Sequence, residues 1–177
     1  MTSTLTISAA THDDADALVQ LVNSAYRGES SKKGWTTEAD LLDGIRMDVD
    51  GMMHLLDKSG SVILQARDNK NQLLGCVNLQ QQSGQVYLGM LTVSPDLQGG
   101  GIGKELLKAS EQYARQKNAE AIIMTVISIR KELIAWYERH GYAMTGERKP
   151  FPSSDPRFGI PKQSLEFVVL RKKLEPY

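Results

Sequence analysis

The chain lacks the features that mark membrane-spanning, disulfide-stabilised or nucleic-acid-binding proteins. Its 177 residues include a single cysteine, Cys76, which cannot form an internal disulfide and is expected to be a small core residue. No apolar run reaches about 18 residues, and no basic-then-apolar segment opens the chain, so neither a membrane span nor a signal peptide is predicted. The 21 acidic and 21 basic residues balance, which gives no basic excess for nucleic acid. The expected setting is reducing and cytoplasmic.

Metal ligands are equally sparse. The histidines His12, His54 and His140 do not cluster with cysteines or acids at the spacing of metal sites, so no metal is expected. The length fits one domain over residues 1–177, with enough chain to bury a sizeable core. No repeat, low-complexity segment or linker divides it.

What the chain does have is a glycine-rich segment between an apolar strand and a helix, Gln98-Gly99-Gly100-Gly101-Ile102-Gly103-Lys104. Glycine lets the backbone approach a ligand, and the first turn of a helix offers N–H groups and a partial positive charge. Together these predict a phosphate site. The dinucleotide fingerprint lacks its third glycine here, and Glu105 replaces the Ser or Thr of a P-loop. A turn that binds no ligand is the alternative.

The spacing Q-x-x-G-x-G, formed by Gln98, Gly101 and Gly103, resembles the pyrophosphate loop of the GCN5-related N-acetyltransferase (GNAT) superfamily, which binds acetyl-CoA. The segment Ala-Trp-Tyr-Glu-Arg-His-Gly-Tyr at 135–142 resembles a helix end of the same family, and the predicted order β-α-α-β-β-β-α-β-α-β-β is that of its fold. The resemblance covers nearly the whole chain and is most specific from Leu88 to Tyr142. It implies an α/β (α+β) fold with a mixed central sheet of about seven strands, splayed in the middle and flanked by about four helices.

The resemblance also implies acetyl-CoA as cosubstrate, without a metal. In the family, the strand before the glycine loop is bulged and splays from the next strand, and the pantetheine arm fills the gap. Gly89 is consistent with such a bulge, or with room for a neighbouring side chain. Arg130 replaces an asparagine of many members and is expected either to contact a CoA phosphate or to cap a helix. The residues predicted at acetyl-CoA are Leu91, Thr92, Val93, Gln98, Gly99, Gly100, Gly101, Ile102, Gly103, Lys104 and Arg130.

The same resemblance makes Tyr137 the catalytic general acid. A phenol with a reference pKa of about 10 carries its proton at neutral pH and can protonate a departing thiolate. The alternative is a core tyrosine bonded to a carbonyl group. The bulged strand offers no carboxylate as general base, which leaves His54, Glu29, Glu147 and ordered water as candidates.

Two segments, residues 26–35 and 150–161, are predicted to enclose the acceptor. The first of them resembles the corresponding segment of a bacterial GNAT subgroup of unassigned substrate. Aromatic walls with arginines suit a small amine that bears a carboxylate. The predicted substrate-binding residues are Tyr26, Arg27, Trp35, Phe151 and Phe158. The long excursion from Pro150 to Pro161 is expected to be a binding loop or a contact in a homodimer.

The expected function is an acetyl-CoA-dependent N-acetyltransferase, in which a primary amine of a small molecule attacks directly in a ternary complex. One alternative is an acyl-CoA-binding sensor or partner-binding module without turnover. Another is a protein or peptide N-acetyltransferase. The expected partners include neither nucleic acid nor membrane.

Overall fold

The computed structural model describes residues 5–26, 42–43, 48–94, 101–150, 160–161 and 166–175. The strands are β1 (Thr6–Ala9), β2 (Leu42–Asp43), β3 (Ser61–Arg67), β4 (Leu73–Gln82), β5 (Gln85–Val93), β6 (Ala121–Ile127), β7 (Ala143–Pro150), β8 (Ile160–Pro161) and β9 (Glu166–Lys173). The helices are α1 (Ala15–Tyr26), α2 (Val49–Asp57), α3 (Ile102–Gln116) and α4 (Lys131–Arg139).

A mixed sheet of seven strands forms the centre, in the order β1-β3-β4-β5-β6-β9-β7, and β2 and β8 form a separate two-stranded ladder. Strands β3, β4 and β5 form an antiparallel meander, and β5 and β6 run parallel. The predicted fold class is therefore confirmed. Among the described residues, no helix is both long enough and apolar enough to cross a membrane.

Helices cover both faces of the sheet, and each face has its own apolar core. On the face that α3 and α4 cover, buried side chains of these helices pack against alternate residues of β4, β5 and β6. On the face that α1 and α2 cover, Leu18, Val22 and Met52 pack with Ile63 and Cys76. We refer to these as the α3/α4 face and the α1/α2 face. Cys76 is fully buried in this core, as the sequence predicts.

Leu41, Leu42, Ile45 and Met47 have the spacing of a helix that the acidic stretch 48–51 would interrupt, and this prediction is wrong at two positions before residue 48. Leu42 and Asp43 are extended and pair with Pro161 and Ile160, and the rest of that stretch lies outside the described residues. Asp48, expected to interrupt a helix, begins one instead. Its carboxylate accepts a hydrogen bond of 2.7 Å from the Gly51 N–H and caps α2, because a first helical turn leaves such groups without an intrahelical partner.

A polar network fixes the start of α1 to β3. Asp14 accepts hydrogen bonds from Arg67 at 2.9 Å, from Gln65 at 3.1 Å and from the Thr11 N–H at 2.9 Å. Burial opposes ionisation of the Asp14 carboxyl, but the Thr11 amide, Gln65 and Arg67 together outweigh it and lower the pKa of Asp14. The network thus favours the ionised carboxylate in the folded protein.

We expect Asp14→Asn to lower the free energy of unfolding at pH 7. A carboxyl whose pKa is lowered by folding stabilises the native state above its unfolded pKa of about 3.9, and this contribution is lost as the pH falls through the folded value. The difference in the free energy of unfolding between wild type and Asp14→Asn should therefore be present at neutral pH and shrink toward about pH 2.5. Urea unfolding at both pH values measures it, and equal stabilities at pH 7 would contradict the role of the network.

Candidate active site

Strand β5 carries a bulge immediately before the glycine-rich segment. Two of its residues, Met90 and Leu91, oppose the single residue Val77 of β4. Met90 has a φ of 57°, a left-handed conformation that is uncommon for a residue with a side chain. The hydroxyl of Thr92 donates a 2.9 Å hydrogen bond to the Met90 carbonyl, and Thr92 is buried. A buried hydrogen bond therefore holds the bulge.

The bulge predicted at Gly89 is present, and its left-handed residue is the next one along the chain. Gly89 itself makes room for a neighbour, because a Cβ atom added there would lie 3.2 Å from the Tyr87 ring. A glycine at position 89 thus serves both expected purposes, since it adjoins the bulge and leaves room for the Tyr87 side chain. The bulge also redirects the side chains that follow it, so that Met90 joins the α1/α2 core while Leu91 packs on the α3/α4 core.

Beyond Tyr87 the strands β5 and β6 separate. Their parallel ladder has three pairs and ends at Tyr87 and Ile123, whereas β5 continues to Val93 and β6 to Ile127. Both strands are fully described, so the gap between residues 88–93 and 124–127 is a feature of the sheet itself. We call this gap the fork. It opens at the end of β5 from which the chain leads into α3.

The start of α3 has the geometry expected of an anion site. Gly101 is its N-cap residue, with a φ of 87°, and beyond its chain neighbours no heavy atom of the described residues lies within 4 Å of the position that a Cβ would take. The first backbone bond of the helix runs from the Glu105 N–H to the Gly101 carbonyl at 3.1 Å. The N–H groups of residues 102–104 precede that bond, and this is the arrangement that binds phosphate.

The other residues of the glycine-rich segment differ in their surroundings. Gly103 is buried, and a Cβ there would lie 3.2 Å from the Trp136 ring and 3.7 Å from Val93. Ile102 is half-buried, and the Lys104 side chain is exposed. Gln98, Gly99 and Gly100 lie outside the described residues.

Tyr137 lies in the last turns of α4 and is 5% exposed. Its ring makes edge-to-face contacts with Trp136, at a centroid distance of 5.1 Å, and with Tyr142, at 5.8 Å. Because Trp136 also packs on Gly103, this aromatic cluster joins the end of α4 to the start of α3. The structure therefore brings the helix of the predicted acid against the predicted phosphate loop.

Gly141 ends α4 in a left-handed conformation, with a φ of 97°, as the sequence predicts. The next residue, Tyr142, is buried, and burial together with the Glu111 carboxylate raises the pKa of its hydroxyl. Glu111 lies about 13 Å along α3 from Ile102 and pairs with Lys172 at 2.5 Å. The hydroxyl of Tyr142 thus has an environment set by the second half of α3.

Arg130 is the N-cap residue of α4 and is 4% exposed. Its backbone N–H donates to the Ile127 carbonyl at 3.0 Å, and its own carbonyl accepts from the Ile134 N–H at 3.1 Å. Its side chain makes no capping bond to the described part of α4. Of the two roles predicted for Arg130, a side-chain cap is therefore not observed, and contact with a CoA phosphate stays a prediction.

The predicted acceptor residues Arg27, Trp35, Phe151 and Phe158 lie outside the described residues, as does the side chain of Tyr26. The backbone that follows them is informative. Strand β2 follows the predicted acceptor segment 26–35 in the chain, and β8 is the last part of the excursion 150–161. These two strands pair with each other. Both predicted walls of the acceptor site thus lead into one ladder.

The general base stays unassigned. His54 is an exposed residue of α2, and Glu147 is an exposed residue of the edge strand β7, which two strands of the sheet order separate from β5. No described hydrogen bond or ion pair links the side chain of either residue to β5 or β6, and Glu29 lies outside the described residues. Among the described residues, no group of three His, Cys, Asp or Glu side chains is placed to hold a metal ion.

Three features of the site were not predicted from the sequence. They are the left-handed Met90, the hydrogen bond from Thr92 to its carbonyl, and the packing of Trp136 on Gly103. Trp136 carried a signal, since it stands beside Tyr137 in the family-like motif. No sequence signal identifies Met90, because a methionine rarely adopts this backbone conformation.

Comparison with known proteins gives one family. A model of the acetyltransferase (GNAT) family matches residues 15–142. A curated relative, the mycothiol acetyltransferase of Propionibacterium freudenreichii subsp. shermanii, is 30% identical over 138 residues, which cover 75% of this chain and 41% of the relative. The chain thus spans less than half the length of that relative.

Solved structures of low sequence identity share the fold. An N-acetyltransferase from Staphylococcus aureus Mu50 superposes with a TM-score of 0.73 at 16% identity, over 96% of this chain and 97% of that one. An acetyltransferase-type protein from Salmonella typhimurium, solved with its cofactor acetyl-CoA, superposes with a TM-score of 0.72 at 18% identity. The superposition covers 99% of this chain and 96% of that one.

We expect Gly101→Asp to abolish the stabilisation of the fold by CoA. The added carboxylate would occupy the open space at the start of α3 and repel a pyrophosphate. At about 100 times its dissociation constant, a ligand that binds only the native state adds about 2.7 kcal/mol, which a thermal melt detects.

Gly146→Asp is the matched control. Gly146 on β7 has a φ of 90° and, like Gly101, no heavy atom from the described part of the chain within 4 Å of the place where a Cβ would stand, so both substitutions carry a similar backbone penalty. The control should melt lower without CoA and keep its full CoA shift. An equal CoA shift in Gly101→Asp and wild type would mean that the segment is only a turn.

Proposed function

Because the chain belongs to the acetyltransferase (GNAT) family, we propose that it transfers the acetyl group of acetyl-CoA to a primary amine of a small molecule within a ternary complex. The observation that carries the proposal is the bulged β5, which leaves β6 at the fork and leads to the Gly101 turn of α3. A groove between two strands that ends at a helix N-terminus suits a long ligand with a phosphate group at one end.

The residues at the fork and at the start of α3 fit this ligand. The backbone of Leu91, Thr92 and Val93 lies along one arm of the fork, where it is proposed to hydrogen-bond the pantetheine arm. The N–H groups at 102–104 are proposed to hold the pyrophosphate, together with Gln98, Gly99, Gly100 and Gly101. Arg130, just beyond the end of β6, is proposed to pair with a phosphate.

Tyr137 is proposed as the general acid. Bound acetyl-CoA supplies a thioester whose carbonyl carbon the amine attacks, so that a C–N bond forms and the C–S bond breaks. The Tyr137 hydroxyl gives its proton to the departing sulfur, the attacking nitrogen loses one proton to water, and the Tyr137 phenolate regains a proton from water. The edge-to-face contacts with Trp136 and Tyr142 keep the ring in one orientation, which is what a positioned proton donor requires.

The acceptor is proposed to lie between the two segments that lead into the β2–β8 ladder, in contact with Tyr26, Arg27, Trp35, Phe151 and Phe158. Pairing of Leu42 and Asp43 with the end of the 150–161 excursion supports the proximity of these segments. The name of the curated relative refers to mycothiol, which favours a small-molecule acceptor over a protein.

A thiol-release assay with acetyl-CoA tests the proposal directly. The panel contains glycine, L-alanine, ethanolamine, glucosamine and a tripeptide with a free N-terminus. Thiol release with one of the small amines, well above hydrolysis without an acceptor, is the expected result. Release with the tripeptide alone would point to a peptide acceptor. CoA binding with no release from any amine would favour a sensor without turnover.

We expect Tyr137→Phe to lower turnover by about 10²- to 10⁴-fold, the usual range for a positioned acid, with little change in CoA affinity. Phe keeps the ring and its aromatic contacts, so the substitution tests the hydroxyl alone. Steady-state kinetics and a CoA melting shift measure the two effects.

Tyr142→Phe is the matched control, because Tyr142 is a second buried tyrosine of the same aromatic cluster. Its turnover should equal that of wild type. If both variants lose activity to the same extent, packing of the cluster explains the loss, and if neither does, Tyr137 is a core tyrosine.

A further inference from the structure

Two hydroxyl groups meet at the base of the fork. The Tyr87 Oη and the Thr125 Oγ1 lie 2.8 Å apart, and both residues are half-buried. Tyr87 is the last residue of β5 that pairs with β6, and Thr125 lies on β6 two residues beyond the last pair. The hydroxyl pair therefore spans the point at which the two strands separate.

The pair lies on the face of the sheet opposite to Tyr137. Along β6, Ile122, Met124 and Val126 belong to the α3/α4 core, so Thr125 points to the α1/α2 face. Along β5, Val86 and Leu88 belong to the α3/α4 core, which places Tyr87 on the α1/α2 face as well. Tyr137 packs within the α3/α4 core.

The α1/α2 face is also the side on which the proposed acceptor segment begins. Helix α1 packs on this face and leads directly into the segment that begins at Tyr26. Beside the pair, Gly89 contributes no side chain, and the Tyr87 ring lies 3.2 Å from the position of its missing Cβ. A larger residue at position 89 would therefore displace the Tyr87 ring.

At the fork, the polar side chains that β5 and β6 direct to this face are hydroxyl groups. From Tyr87 on β5 and from Ile123 on β6, the side chains directed to the α1/α2 face and the bulge are uncharged: Tyr87, Gly89, Met90, Thr92, Ile123, Thr125 and Ile127. Of the three hydroxyls in this set, that of Thr92 is bonded to the Met90 carbonyl. The pair of Tyr87 and Thr125 is therefore what β5 and β6 offer to a polar ligand here, beside Asn78 and Gln80 of β4, whose amides bond to each other at 2.8 Å.

We propose that Tyr87 and Thr125 bind the amine of the acceptor. Within the pair one hydroxyl donates to the other, and the oxygen atoms keep lone pairs that can accept a hydrogen bond from an amine N–H. Such a bond holds the nitrogen at the base of the fork, on the face opposite to the proposed acid, with its own lone pair directed into the gap. This inference rests on the proposed function and adds the residues that position the nucleophile.

The test uses Tyr87→Phe and Thr125→Val in the full-length protein, with acetyl-CoA and the panel amine that wild type acetylates fastest. Each variant should raise the KM for that amine about tenfold, since one hydrogen bond to the amine is lost, and leave the KM for acetyl-CoA unchanged. Thr125→Ser keeps a hydroxyl and should restore a KM close to that of wild type.

Two further readouts separate binding from stability. Calorimetry of the same amine with CoA-loaded protein should show a similar loss of affinity in both variants, while the CoA melting shift stays at the wild-type value. Tyr113→Phe is the control. Tyr113 lies on α3, and its hydroxyl accepts a 3.1 Å hydrogen bond from the exposed Gln81 of β4, away from the fork. It should change neither constant.

A hydroxyl pair that only ties β5 to β6 gives a different result. Both variants would then melt at a lower temperature, and the KM values for amine and acetyl-CoA would change by the same factor or not at all, which overturns the proposal while the proposed function stands. Thiol release absent from wild type with every amine would overturn the proposed function and this inference together.

Discussion

The site depends on the conformation of one residue, Met90. Its left-handed backbone inserts an extra residue into β5, and a conformation of this kind costs about 1–3 kcal/mol. The buried hydrogen bond from Thr92 to the Met90 carbonyl offsets part of that cost. The pairing of β5 with β4 resumes after the bulge, whereas its pairing with β6 has already ended at Tyr87. The bulge therefore accompanies the opening of the sheet on the side where a ligand can enter.

The fork places the two faces of the sheet in different roles. On the α3/α4 face, the Gly101 turn and the aromatic cluster around Tyr137 adjoin through the contact between Gly103 and Trp136. On the α1/α2 face lie the hydroxyls of Tyr87 and Thr125 and the helix that leads into the proposed acceptor segment. A fork in the sheet is where ligands from both faces can meet, and this is the geometric requirement of direct transfer in a ternary complex.

Local patterns in the sequence were sufficient for the elements whose stability is local. The bounds of β3, β5 and β6 follow from apolar alternation and from continuous apolar runs, and Gly141 ends α4 as a left-handed cap. Gly101 and Tyr137 could be predicted as site residues because glycine at a helix start and the family-like helix end are both short-range signals.

What the sequence did not predict depends on partners far along the chain. The left-handed residue is Met90 and not Gly89, because the register with β4 and the Thr92 hydrogen bond decide which residue is displaced. Leu42 and Asp43 follow a helical pattern but are extended, because they pair with residues 160–161. The pairing of Tyr87 with Thr125 joins positions 38 residues apart and leaves no local pattern.

Residue-resolved amide hydrogen exchange with and without CoA tests the central claim, that the fork and the start of α3 form the acyl-CoA site. Binding should slow exchange at residues 88–93 of β5 and 102–104 of α3, because these amides become hydrogen-bonded or shielded. Amides in the ladder between β3 and β4 should slow only by the common factor that stabilisation of the whole fold imposes. Protection that appears elsewhere and leaves residues 88–93 unchanged would contradict the account.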